Sequence, residues 1–160
     1  MHNKAVDVTD EYIVNSMVNN GEIIYDDNFK KELSHEEVIV AKYIHQVLGG
    51  DIKLLWHKNY CDEGSPDYVW NGRLWELKTP SELSNVPWQT RKAISQISKT
   101  LHGTMQDKQG GIIFDCVNMD DVQRVIDKVI EDISDPRSKY ITGDIFFLKD
   151  GKFIVIHPIK

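Results

Sequence analysis

Apolar residues recur at helical spacing through Val40, Ala41, Ile44, Val47 and Leu48, again through Ala93, Ile94, Ile97, Leu101 and Met105, and a third time through Val122, Val125, Ile126, Val129 and Ile130. Each set lies on one stripe of a 3.6-residue helix, so amphipathic helices are predicted over 35–48, 86–105 and 120–133. Ser34 stands at the start of the first, with Glu37 three residues on as in a capping box, and Gly49-Gly50 stop it. Between the helices the pattern changes. Residues 52–56 suit a strand, and Tyr68-Val69-Trp70, Asn71-Gly72 and Arg73 to Leu77 predict a hairpin closed by a two-residue type I′ turn. Ile112 to Val117, interrupted only by Asp115, suits a strand buried on both faces, and residues 144–148 and 152–157 flank a second hairpin turn at Lys149-Asp150-Gly151. Residues 1–33 are weakly periodic and are expected to form a partly helical lead-in to a single domain over 34–160. The order helix, strand, hairpin, helix, strand, helix, hairpin predicts an α/β fold, with a central mixed sheet flanked by helices on both faces.

The hairpin carries the chemistry. Asp67 precedes the turn by as many residues as Glu76 follows it, so a regular register sets the two carboxylates nearly opposite each other. Residues two apart in a strand share a face, so Lys78 joins Glu76 while Leu77 points the other way. Facing like charges cost roughly 0.2–1 kcal/mol when exposed, and a divalent cation held by one or two carboxylates would offset the repulsion. The plainer reading makes these residues a solvated strand face. Pro80 lacks an N–H and ends the ladder just beyond. Glu37 continues the apolar stripe of the first helix one turn earlier, where it either completes the capping box or reaches the carboxylate patch.

A chain of 160 residues with 41% apolar and 28% charged residues is one ordinary globular domain. It has no apolar run of about 18 residues and no basic-then-apolar start, so neither a membrane span nor a secretory signal peptide is expected. Cys61 and Cys116 are too few for a disulfide scaffold or a cysteine zinc site. The net charge of −6 weighs against a nucleic-acid partner, yet residues 84–102 hold Arg91, Lys92 and Lys99 without one acidic residue. Trp88, at the start of that helix, is either a half-buried anchor or a platform for an unpaired base. Lys92, Gln96 and Lys99 form a polar stripe whose default role is solvated surface. His57 and His102 are candidate acid and base groups for a metal-independent ribonuclease, although isolated histidines are more often structural.

An acidic helix, Pro66-Asp67 on one strand, Glu76-Leu77-Lys78 on the next, then a helix and a strand resembles the PD-(D/E)xK nuclease superfamily, with its restriction endonuclease-like fold. More narrowly, Trp75 before Glu76, Thr79-Pro80 after Lys78, a basic helix with a glutamine and the Ile-Ile-Phe-Asp strand resemble the C-terminal tRNA nuclease toxin domains of contact-dependent growth inhibition proteins, over roughly residues 34–117. The resemblance implies that Asp67, Glu76 and the Leu77 carbonyl hold a divalent metal, Mg²⁺ first, with Mn²⁺ or Zn²⁺ as alternatives. It implies that Lys78 orients or polarises the attacking water, that Glu37 and Gln96 complete the catalytic set, and that Trp88, Arg91, Lys92 and Lys99 bind substrate. Its expected substrate is tRNA rather than DNA. It further implies a cognate immunity protein as partner and action in a bacterial cytoplasm, possible delivery being as part of a secreted toxin. The glutamate beside it, Glu36, leaves open which of the pair faces the site. A DNA endonuclease of restriction or repair type, and a non-catalytic binding module on the same fold, are the alternatives.

Overall fold

The structure, a computed structural model, describes residues 5–56, 66–102, 108–135 and 143–159, with the account of 98–102 and 108–109 confined to the backbone. One eight-stranded mixed sheet organises the chain, in the order β1-β8-β7-β6-β5-β4-β3-β2. Its strands are β1 (Ala5–Asp7), β2 (Ile23–Tyr25), β3 (Ile52–Leu54), β4 (Tyr68–Trp70), β5 (Arg73–Lys78), β6 (Lys108–Asp115), β7 (Ile145–Lys149) and β8 (Lys152–Pro158). The helices are α1 (Thr9–Val14), α2 (His35–Val47), α3 (Val86–His102) and α4 (Val122–Ile133).

Alternation along the strands divides the core between the two faces. Tyr68, Trp70, Trp75, Ile113, Phe146 and Leu148 pack with Val40, Ala41 and Ile44 of α2. Ile112, Phe114, Ile145 and Phe147 point the other way, against Ala93 and Ile94 of α3 and Val125, Ile126 and Val129 of α4. The helices α3 and α4 are the crossovers that link β5, β6 and β7, which run parallel. Both hairpins close as expected, with Asn71 and Gly72 at φ 51° and 73°, and Asp150 and Gly151 at 53° and 73°. Two consecutive positive φ angles define the type I′ turn that matches strand twist.

Three expectations need correction. Residues 1–33 do contain a short helix, but they also supply both edge strands, β1 pairing β8 and β2 pairing β3. Edge strands of three residues are too short for a period-two pattern to show. Ser34 does not cap α2 with its side chain. A 3₁₀ turn at Lys31–Leu33 feeds directly into the helix, tying the Ser34 N–H to the Lys31 carbonyl at 3.2 Å, while the Ser34 carbonyl receives the Val38 N–H at 3.2 Å. Finally, β6 starts at Lys108 and runs through Gly110-Gly111, where a Cβ on Gly111 would collide with the Asp144 carbonyl. The glycines there serve close approach between strands rather than a turn. The predicted end of the second helix at Met105 lies outside the described residues.

Candidate functional site

The carboxyl ends of β5, β6 and β7 form one rim of the sheet, the usual location of sites in parallel α/β sheets. The β4–β5 ladder runs from Trp70↔Arg73 to Tyr68↔Trp75, and continued by one residue it sets Asp67 opposite Glu76. The Asp67 backbone is fixed by β3, its carbonyl accepting from the Leu55 N–H at 2.9 Å. Its side chain is fixed by β5, with Oδ2 accepting from the Leu77 N–H at 2.7 Å. A strand residue directs its N–H and C=O toward the same neighbour, so the Leu77 carbonyl projects to the side where Asp67 lies.

Glu76 is only 3% exposed. Its Oε2 lies 3.2 Å from Lys78 Nζ, and Oε1 is buried without a donor. Lys78 also donates to Gln96 Oε1 at 3.1 Å, which ties the end of β5 to α3. Burial first, then the charge and side chain of Glu76, push the Asp67 carboxyl well above its ordinary range, against the smaller opposing pull of the Leu77 N–H and Lys78. Two carboxyl groups, Glu76 buried and Asp67 half-buried, therefore meet with one lysine against Glu76. They are relieved by retaining a proton or by a cation.

Among the described residues, no three His, Cys, Asp or Glu side chains gather as a metal cluster. The donor set is instead two carboxylates beside a backbone carbonyl. Hard oxygen ligands that leave most positions to water suit Mg²⁺, whereas Zn²⁺ sites draw three or four protein ligands rich in nitrogen and sulfur.

The remaining predicted residues separate. Glu37 lies on α2, across the sheet from the face that carries Lys78 and Gln96, and its carbonyl accepts from the Tyr68 hydroxyl at 2.7 Å. Burial chiefly, then the charges of Asp67, Glu37, Glu76 and Asp115, push that hydroxyl well up, so the rim is strongly acidic around Tyr68. Glu36 is exposed and accepts from Thr79 Oγ1 at 3.4 Å, bridging the end of β5 to the start of α2. Trp88 is 56% exposed, and the Lys92 ammonium stands 4.8 Å from its ring centre. Residues 88, 92 and 96 are one helical turn apart, so they form a stripe on α3 that descends from the exposed ring to the Lys78 partner. Arg91 pairs with Asp132 of α4 at 3.0 Å, a bond between helices, with its side chain 44% exposed. The Lys99 and His102 side chains and His57 lie outside the described residues, as does Cys61. Cys116 is buried, with its thiol pushed up to about 12 by burial first and Asp115 second, so it is an inert packing residue.

Sequence reasoning passed over the polar network of Tyr12, Asp144 and His157. The Asp144 Oδ1 lies 2.6 Å from His157 Nδ1, and Oδ2 accepts from the Tyr12 hydroxyl. These three come from α1, the approach to β7, and β8, and no local spacing joins them. Asp115 did leave a signal, as the single charge in an apolar strand.

No protein-family model matches the chain, and no curated protein matches it at significance. Among solved structures, a chain of a CdiA-CT/CdiI toxin and immunity complex from Burkholderia pseudomallei shares the fold, with a TM-score of 0.52 over 87% of this chain and 99% of that one, at 14% identity. Among the described residues, no helix is long and apolar enough to cross a membrane.

Proposed function

We propose that the chain is a metal-dependent ribonuclease acting on tRNA, a toxin domain on the PD-(D/E)xK pattern that a cognate immunity protein neutralises in the bacterial cytoplasm it enters. The observation that carries this reading is the Asp67–Glu76 pair, with Glu76 buried and Asp67 half-buried, and Lys78 held at 3.2 Å from Glu76 and 3.1 Å from Gln96. The fold shared with a chain of a toxin and immunity complex supports the toxin role and the immunity partner.

In this reading Asp67, Glu76 and the Leu77 carbonyl hold the divalent ion. When bound, the ion supplies charge stabilisation at the phosphate and a nucleophile at neutral pH. Lys78 places a compact positive charge where anionic character develops, and Gln96 fixes the direction of its ammonium. Trp88 offers a stacking face and Lys92 a phosphate contact along the stripe that leads to Gln96. Glu37 and Glu36 shape the acidic rim.

Incubating the protein with tRNA and with duplex DNA, in Mg²⁺ and in EDTA, tests the reading. Cleavage of tRNA alone, dependent on Mg²⁺, is expected. Cutting of DNA instead would replace it with the restriction or repair reading, and no cutting of either with no metal uptake would leave a binding module.

A further inference from the structure

The same rim carries a second feature on its α2 side. A pocket of ≈ 320 Å³ opens between α2, the end of β6 and the β7–β8 turn. Val40 and Leu148 form its apolar floor, Tyr43 stands at its wall, and Asp115, Lys149 and Lys152 edge it. Its position follows from register. Lys78 lies beside Phe114 on β6, Asp115 is the next residue, and Asp115 lies beside Leu148 on β7. The pocket is therefore one strand over from the carboxylate pair and on the opposite, α2 face of the sheet, with Glu36 and Thr79 between them at the rim.

We infer that this pocket is a subsite for one unpaired nucleobase bearing an exocyclic amino group, on a single-stranded RNA segment that crosses the sheet rim from the cleavage centre. This rests on the ribonuclease reading above. An apolar floor with an aromatic wall suits the flat face of a base, since unpaired RNA bases are commonly recognised by stacking and by hydrogen bonds to their edges. Asp115 supplies the edge contact. Its Oδ1 accepts from the Val117 N–H at 3.2 Å, which orients the group and leaves Oδ2 as the acceptor for an amino donor, as acidic side chains accept from the cytosine amino group. Burial raises the Asp115 carboxyl above its ordinary range, with Glu36 adding to the rise and the Val117 N–H and Lys149 opposing it, so an added N–H donor would compensate lost water. The Tyr43 hydroxyl is buried without a partner, a polar atom that the protein alone does not satisfy. Lys149 and the exposed Lys152 flank the opening with positive charge for the neighbouring phosphates, against the negative charges of Asp150 and Glu36.

The preference is testable with cytosine and uracil, because uracil has a carbonyl where cytosine has its amino group. Anisotropy titration of labelled oligo(C) and oligo(U) hexamers into Lys78→Ala protein separates binding from turnover. Oligo(C) is expected to bind roughly tenfold more tightly, about the contribution of one hydrogen bond to a charged group. Asp115→Asn should bring the ratio close to one, because an amide presents both donor and acceptor. Lys152→Ala, at an exposed position, should weaken both oligomers alike and keep the ratio. Equal binding of the two oligomers, or a ratio that survives Asp115→Asn, overturns the subsite even if the unmodified chain cuts RNA well. A ratio lost with Asp115→Asn supports it even if that chain cuts none.

Discussion

The two β-hairpins share a turn and differ in what they do with the strands beyond it. Both close through consecutive residues at positive φ, 51° and 73° in one, 53° and 73° in the other. From there β7 and β8 stay paired for five positions, with Ile145↔Ile156, Phe146↔Val155 and Phe147↔Ile154 filling both faces of the core. The partnership of β4 and β5 lasts only three positions before Asp67 and Glu76 meet. One hairpin confines its like-charge pair, Lys149↔Lys152, to the rim beside the turn and fills the positions beyond it with apolar neighbours. The other sets two carboxyl groups against each other inside the fold, Glu76 buried and Asp67 half-buried, and such a local conflict marks a site whose arrangement serves something other than stability.

That contrast can be broken by mutation, most sharply in activity. Lys78→Ala is expected to reduce tRNA cleavage by about 10²–10³-fold or more, the usual cost of removing a group that stabilises developing charge. Ile154→Val, on β8 of the second hairpin, should leave the rate within a few fold. Single-turnover assays on both variants, with circular dichroism to confirm folding, check the difference.

Stability should sort the hairpins in the opposite order. Phe146→Ala deletes a fully buried ring in contact with Trp70 and Trp75, and is expected to cost about 3–5 kcal/mol in urea unfolding. Asp67→Asn keeps an acceptor for the Leu77 N–H and, above the pH at which the folded Asp67 carboxyl gives up its proton, removes one of two like charges. In EDTA it should stabilise the protein, by on the order of 1 kcal/mol.

The pH dependence sharpens the same point. An unfolded Asp67 releases its proton near 3.8, while the folded carboxyl keeps it to a considerably higher pH. Between those values the unfolded chain binds fewer protons, so this group makes stability fall as pH rises. Thermal melts in EDTA should show that decline, Mg²⁺ should reduce it by favouring the deprotonated pair, and Asp67→Asn should remove it. A decline that persists unchanged in Asp67→Asn would assign it elsewhere.

The smallest effect tests what the hairpins have in common. Gly72 and Gly151 share a φ of 73°, and a Cβ added at either would meet no atom within 4 Å, so Gly→Ala at both sites is opposed by backbone strain alone. Each should cost about 1–2 kcal/mol, and the two costs should agree.

Much of this was legible in the chain because it is local. Asn71-Gly72 fixes the register, the register places Asp67 against Glu76, and the period of two turns Lys78 toward the same face. The α2, α3 and α4 stripes are equally local, and their side of the sheet follows from the crossovers. What escaped is set by distant partners. The three-residue edge strands β1 and β2 acquire their identity from β8 and β3, and the Tyr12–Asp144–His157 network joins segments with no common spacing. The Arg91–Asp132 pair likewise joins two helices with no common spacing. The stripe that Glu37 ends is local, but the face of the sheet it meets, opposite that of Lys78, is set by the strands it packs on.

The most direct test of the account is cleavage of tRNA by the unmodified chain and by Asp67→Asn, side by side in Mg²⁺ with the product ends mapped. The account predicts cutting at defined positions by the unmodified chain and none by Asp67→Asn, although the variant is folded and at least as stable in EDTA. Cleavage by Asp67→Asn at the same positions and a comparable rate would contradict it.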